Sequence, residues 1–165
     1  MRRIGIVAAT ILCVTTGSAV AANDENAPPA FTIAGAAEQY FVRAHELMLQ
    51  ALSLMGIKYR YGGDTPVTGF DCSGFVRYVF NQIGTGLPRR ASEISRIGRT
   101  VDRDELQPGD LVFFNTLRRP FSHVGIYLGE QRFIHSPSRG GNVEIVNMSE
   151  RYWERRYNGA RRLDL

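Results

Sequence analysis

The sequence predicts an α+β domain in which helices come first and a mostly antiparallel sheet follows. Apolar residues recur at helical spacing between residues 36 and 97, and short apolar runs bounded by Gly, Pro and Asp replace them after residue 107. That segregation of helix from strand is the pattern of helices packed on one antiparallel sheet. Length agrees: the 165 residues, less a leader of about 22, leave enough chain for one domain with a core and too little for two.

The leader comes first. Arg2 and Arg3 precede an apolar stretch, Ile4 to Val14, and then the small residues Ser18-Ala19-Val20-Ala21-Ala22. These are the three parts of a secretory signal peptide, so residues 1–22 are expected to be removed on export. The apolar run is short for a ~20-residue membrane span and is diluted by Thr and Gly. Leu12 stands where lipid attachment at Cys13 would need a small residue. A soluble exported protein without stable membrane insertion is therefore expected.

Loss of Arg2 and Arg3 lowers the formal net charge from +4 by two, to +2. A chain so nearly balanced gives little reason to expect nucleic acid as a partner. Lys58 is the only lysine, and the arginines that make up the rest of the basic side suit bidentate contact with carboxylates.

Residues 23–35 contain Pro28 and Pro29 among polar and small side chains and show no period, so a flexible lead-in is expected there and the domain proper over 36–165. Tyr40, Leu47, Leu49, Leu52, Leu54 and Met55 supply the apolar face of a helix over 36–55, which Gly56 ends. Tyr59 to Pro66 reads as a loop. A second helix is expected from Cys72, capped by Asp71, with Phe75, Val76, Val79, Phe80 and Ile83 on its buried face and Gly84 and Gly86 after it. Leu87-Pro88-Arg89 leads to a short helix near 91–97. Strands follow at 111–114, 124–128 and 132–135, the last two around the Gly129-Glu130-Gln131 turn, and further strands at 143–146 and 157–163.

With the leader gone, Cys72 is the one remaining cysteine, so it can form no internal disulfide. It stands where a turn runs into a helix, facing unpaired N–H groups and the positive end of the helix dipole, which favour thiolate over thiol. An adjacent imidazolium would bring the thiol from its usual ~8.5 into the range of roughly 3.5 to 7.5, leaving Cys72 mostly ionised at rest. His123 and His135 are the candidate partners. A hairpin centred near Gly129 would set them opposite each other, and their even separation puts both on one face, with Val124, Ile126 and Leu128 on the other. His123 would take the thiol proton and pass it to the leaving amine, while His135 orients its ring.

The Cys72 N–H, with a side-chain donor such as Tyr59, could stabilise an oxyanion. Ser73 joins Tyr59 as a candidate for oxyanion or substrate contact. His45, on the first helix, reads as a surface or packing residue. A zinc site built from Cys72, His123 and His135 stays open on residue type alone, although no closely spaced ligand pair is present.

Six blocks in order carry a resemblance: Tyr59-Arg60-Tyr61-Gly62-Gly63, Asp71-Cys72-Ser73-Gly74-Phe75-Val76, Leu87-Pro88-Arg89, Pro108-Gly109-Asp110-Leu111-Val112-Phe113-Phe114, His123 to Gly129, and Phe133-Ile134-His135. From about Ala44 to the C-terminus the chain resembles the NlpC family, papain-like cysteine peptidases of bacterial cell walls. Within that family it is similar to the Spr-type murein endopeptidases, including the closing run Tyr152 to Arg162. The resemblance implies a papain-like fold, with N-terminal helices packed on a mostly antiparallel central sheet. It also implies a triad of Cys72 as nucleophile, His123 as base and His135 as orienting residue, with Tyr59 near the oxyanion and no metal or organic cofactor.

Peptidoglycan stem peptides are the implied substrate, cut either between D-glutamate and the diamino acid or at the D-alanine to diaminopimelate crosslink, in the periplasm. Arg60, Arg89 and Arg139 are candidate contacts for stem-peptide carboxylates. Two departures stand out: the 64–70 loop is one residue longer than in Spr-type relatives, and Arg90-Ala91 replaces small hydroxyl residues. A catalytically silent wall-binding module, or an acyltransferase or amidase acting on another substrate, remains the alternative, and a protein regulator is an open partner.

Overall fold

Residues 33–117, 119–138 and 140–165 are described by the structure, a computed structural model. The expected signal peptide, residues 23–32 of the expected lead-in, and Arg139 lie outside them.

Helix α1 (Ile33–Ser53) begins three residues before the expected start and ends two before the expected stop. Its buried stripe is Ala44, Leu47 and Ala51, continued by Leu54, which are the i, i+3 and i+4 neighbours of one helix face. Gly56 then turns the chain at φ +82°, a conformation open to glycine. The segment expected as a plain loop holds a small antiparallel pair, β1 (Asp64–Thr65) with β2 (Gly69–Phe70).

Helix α2 (Cys72–Gln82) starts where expected, and Phe75, Val76, Val79 and Phe80 form its buried face. The short α3 (Ala91–Ile94) follows. The remaining strands form one six-stranded sheet: β3 (Arg99–Val101), β4 (Leu111–Phe114), β5 (His123–Gly129), β6 (Arg132–His135), β7 (Glu144–Asn147) and β8 (Tyr157–Arg162), in the antiparallel order β3-β8-β4-β5-β6-β7. A last helical turn, α4 (Arg151–Glu154), precedes β8.

Both faces of the sheet are covered, which is why Leu111-Val112-Phe113-Phe114 reads as a continuous apolar run. Leu111 and Phe113, with Val124, Ile126 and Ile134, meet α1 and α2 on one side. Val112 and Phe114, with Tyr127, Phe133 and Ala160, meet Met148 and Trp153 on the other.

The β5–β6 hairpin corrects the expected register. Ile126 faces Ile134 and Tyr127 faces Phe133, so opposed numbers sum to 260 and His123 does not lie directly across from His135. Carried one step further, the same register sets Gly125 opposite His135. The reason is the turn: Glu130 and Gln131 both take positive φ, 51° and 57°, and with a bulge at Leu128 they move its centre beyond Gly129. The alternation of faces is as expected, since even offsets keep both histidines on one side.

One buried ion pair ties the first helix to the last strand. Asp110, fully buried, accepts from Arg162 Nε and Nη2, each at 2.7 Å, and from the Gln107 N–H at 2.8 Å. The Tyr40 hydroxyl of α1 reaches the same carboxylate at 3.4 Å. Removing one partner of such a pair leaves a charge without compensation. Arg162→Met is therefore expected to lower unfolding free energy by about 3 kcal/mol in urea titrations at pH 7. An unchanged midpoint would show that solvent reaches Asp110 and replaces the guanidinium.

Candidate active site

Asp71 organises the entry to α2. Its extended backbone (φ −89°, ψ 174°) is that of an N-cap, and its Oδ1 accepts from the Gly74 N–H at 2.7 Å. The same carboxylate accepts from the Gly62 N–H at 3.0 Å, the Ser73 hydroxyl at 3.2 Å and Arg89 through two N–H groups at 2.9 and 2.6 Å. A methyl on Gly74 would run into the Gly63 carbonyl oxygen, so glycine allows the helix to press against the preceding loop. Sequence, loop and helix start thus form one rigid unit, and Cys72 is its first helical residue, with an N–H that has no intrahelical acceptor.

The thiol itself departs from expectation. Burial, followed by the Asp71 carboxylate, pushes Cys72 up to about 11, outweighing the downward pull of the Val124 and Ser73 N–H groups and of Arg89. Burial thus works against the thiolate expected from the helix position. The contact with the Val124 N–H sets the sulfur beside the start of β5, next to His123.

His123 and His135 meet as expected from their shared face. His123 Nε2 and His135 Nδ1 are 2.8 Å apart, with rings at 84°. Trp153 stacks on His123 at 29° between planes and meets His135 edge-on, while Phe133 packs against His135 and Phe114 against His123. A Cβ at Gly125 would stand 2.5 Å from the Phe133 ring, so this glycine keeps room for the aromatic layer. His123 is 5% exposed and His135 wholly buried. Burial lowers His123 to about 4 and, with repulsion from His123, puts His135 well below its ordinary value.

A half-open groove of about 630 Å³ runs past Cys72 and His123. Tyr59 and Tyr61 line it on one side, and Leu117, Arg119 and Phe121, from the β4–β5 loop, also contribute. Burial raises Tyr59, and it stands near enough to Cys72 for the two ionisations to oppose each other. Ser73 lines the groove but its hydroxyl is engaged by Asp71 and Arg89.

Arg89 is therefore held by Asp71, Arg60 does not line the groove, and Arg139 lies outside the described residues. Arg90 and Arg119 line the groove alongside Arg89, which residue type alone could not single out. Trp153, the only tryptophan of the chain, is the structural partner that sequence reading left unassigned. His45 is exposed on α1. Among the described residues no group of three or more His, Cys, Asp or Glu side chains is disposed to hold a metal ion, and no helix is long and apolar enough to cross a membrane.

The chain is similar to known proteins. The model of the NlpC/P60 family matches residues 56–162. Murein DD-endopeptidase MepH of Escherichia coli is 43% identical over 120 residues, covering 70% of this chain and 44% of that protein. Gamma-DL-glutamyl hydrolase of Bacillus subtilis is 45% identical over 117 residues, covering 70% of this chain and 28% of that protein. The chain thus spans less than half the length of either relative. The crystal structure of an NlpC/P60 family protein from Bacillus cereus superposes with a TM-score of 0.68 at 36% identity, covering 74% of this chain and 40% of that one.

The buried neutral imidazoles give a pH dependence with a defined sign. His123 takes up its proton near 6.5 when unfolded but near 4 when folded, so the unfolded state binds more protons in between and stability falls as pH drops through that window. Unfolding free energy is expected to fall by about 2 kcal/mol from pH 7 to pH 5 on account of this residue. His123→Gln should flatten that slope in urea titrations, whereas an equal slope in wild type and variant would mean that His123 protonates freely in the fold.

Proposed function

The chain belongs to the NlpC/P60 family, and on that premise we propose that it is a cysteine peptidase that hydrolyses stem-peptide or crosslink amide bonds of peptidoglycan. The observation that carries this reading is a thiol at a helix N-terminus in an open groove, beside a histidine backed at 2.8 Å by a second, buried one. A binding surface has no need of that arrangement. The two relatives named above are, respectively, a murein endopeptidase and a gamma-glutamyl hydrolase, which supports the substrate class and leaves both bond types as products to look for.

In this reading Cys72 Sγ attacks the scissile carbonyl carbon and its proton passes to the ring nitrogen of His123 that His135 does not engage. Because burial disfavours both charged forms, thiolate and imidazolium form together as the substrate closes the groove. The carbonyl oxygen gathers negative charge beside the Cys72 N–H, with the Tyr59 hydroxyl as second donor. The C–N bond breaks, the amine leaves with the proton from His123, and a thioester remains on Cys72. Water then attacks the thioester, gives a proton to His123, and the thiol is restored as the acid departs.

Export completes the proposal: residues 1–22 act as a cleaved signal peptide and the domain from residue 36 works in the periplasm, on the strength of the leader pattern and the Spr-type likeness.

Purified diaminopimelate-type sacculi digested with wild type are expected to lose crosslinked dimers and gain monomers, or to yield stems shortened to D-glutamate, as read by liquid chromatography and mass spectrometry. Cys72→Ala is expected to lower either product at least about 1000-fold. Equal product from wild type and Cys72→Ala would overturn the proposal.

A further inference from the structure

His135 has a ring nitrogen that the site leaves without a partner. Its Nδ1 faces His123, while Nε2 is buried with no hydrogen-bond partner among the described residues. A buried N–H in that state is costly, and one directed at a carboxylate is a feature that demands a use. Across the β6–β7 ladder the residue opposite His135 is Glu144, and its Oε1 lies 3.8 Å from Nε2. β7 is the edge strand, and the Glu144 side chain is half exposed, so it can rotate or share one water with the ring.

The proton inventory says why this matters. For His123 to receive the thiol proton on its free nitrogen, its Nε2 must carry a hydrogen and donate it to His135 Nδ1. His135 must then carry its own hydrogen on Nε2, facing Glu144. The opposite tautomer would place a hydrogen on the nitrogen of His123 that should act as base. Nothing in an apolar layer of Trp153, Phe133 and Phe114 selects between the two.

We propose that Glu144 is a positioning residue, whose carboxylate accepts the Nε2–H of His135, fixes the tautomer of both imidazoles and stabilises the positive charge His123 acquires. This rests on the catalytic reading of Cys72 and the two histidines given above. The groups with charge that face the pair are few. His123 from β5 and Glu144 from β7 face His135, and α4 supplies the uncharged Trp153. Asp71, Arg89 and Tyr59 face Cys72. Glu144 is thus the anion on the far side of the relay, where it can offset the burial that disfavours imidazolium, and it does not line the groove.

The test is iodoacetamide alkylation of the full chain across pH, followed at Cys72 by peptide mapping so that Cys13 does not contribute, in wild type, Glu144→Gln and Glu144→Ala. Glu144→Ala is expected to slow alkylation at pH 7 about tenfold, equivalent to a shift of about one pH unit, with Glu144→Gln in between. On muropeptides kcat should fall by a similar factor with KM within about twofold. Imidazole nitrogen NMR should show the Nε2–H form of His135 in wild type and a mixture in Glu144→Ala. Alkylation profiles and ring signals that superimpose for all three proteins would overturn the proposal. Alkylation needs no cell wall, so a wild type that fails on sacculi yet shows Glu144-dependent alkylation would remove the substrate reading and leave the relay standing.

Discussion

Two imidazoles hydrogen-bonded to each other inside an aromatic layer are the constraint around which the rest of this protein is arranged. A histidine pair placed in water would titrate near its ordinary value and tumble among rotamers. Enclosed, it is held in orientation and burial disfavours its charged form, while His123 keeps one edge on the groove. That enclosure requires a sheet covered on both faces, and Trp153 on a single helical turn supplies the cover over the histidines. It also requires Gly125, because any side chain there would displace Phe133.

The thiol side is built on a different principle. Asp71 holds five donors and locks loop, helix and Arg89 together, but its charge works against ionisation of the neighbouring sulfur. Arg89 offsets part of that charge and the Val124 and Ser73 N–H groups offset more, yet burial prevails. Burial therefore disfavours the charged form of both the thiol and the imidazole. A buried thiol is less exposed to oxidation than a free thiolate. In the proposed reaction proton transfer is coupled to substrate, and Glu144, 3.8 Å from His135 Nε2, gives the transferred charge a counterpart.

Much of this could be read from the chain. Helix α2 was legible because cap, nucleophile and apolar spacing coincide at Asp71 to Phe80, and the shared face of His123 and His135 follows from parity alone. The register of their hairpin was not, because Glu130 and Gln131 adopt positive φ that neither residue type advertises. Strand β3 and helix α4 are too short to show a period, and they exist through pairing with β8 and burial of Trp153. The opposing influences on Cys72 are only partly legible for a related reason. A helix N-terminus is visible in sequence, whereas the depth of burial and the proximity of Asp71 to sulfur are products of the fold. In sequence Glu144 is one charge on an outer strand, and only the ladder sets it opposite His135.

The central claim is that Cys72 forms a covalent acyl intermediate whose proton traffic runs through His123. It is tested most directly by hydrolysing two muropeptides that share an acyl part but differ in leaving amine, with hydroxylamine added as a competing nucleophile. A common acyl-enzyme predicts hydroxamate alongside the free acid in the same ratio from both substrates, with both products lost in Cys72→Ala. Continued hydrolysis with no hydroxamate at any hydroxylamine concentration, undiminished in Cys72→Ala, would contradict it.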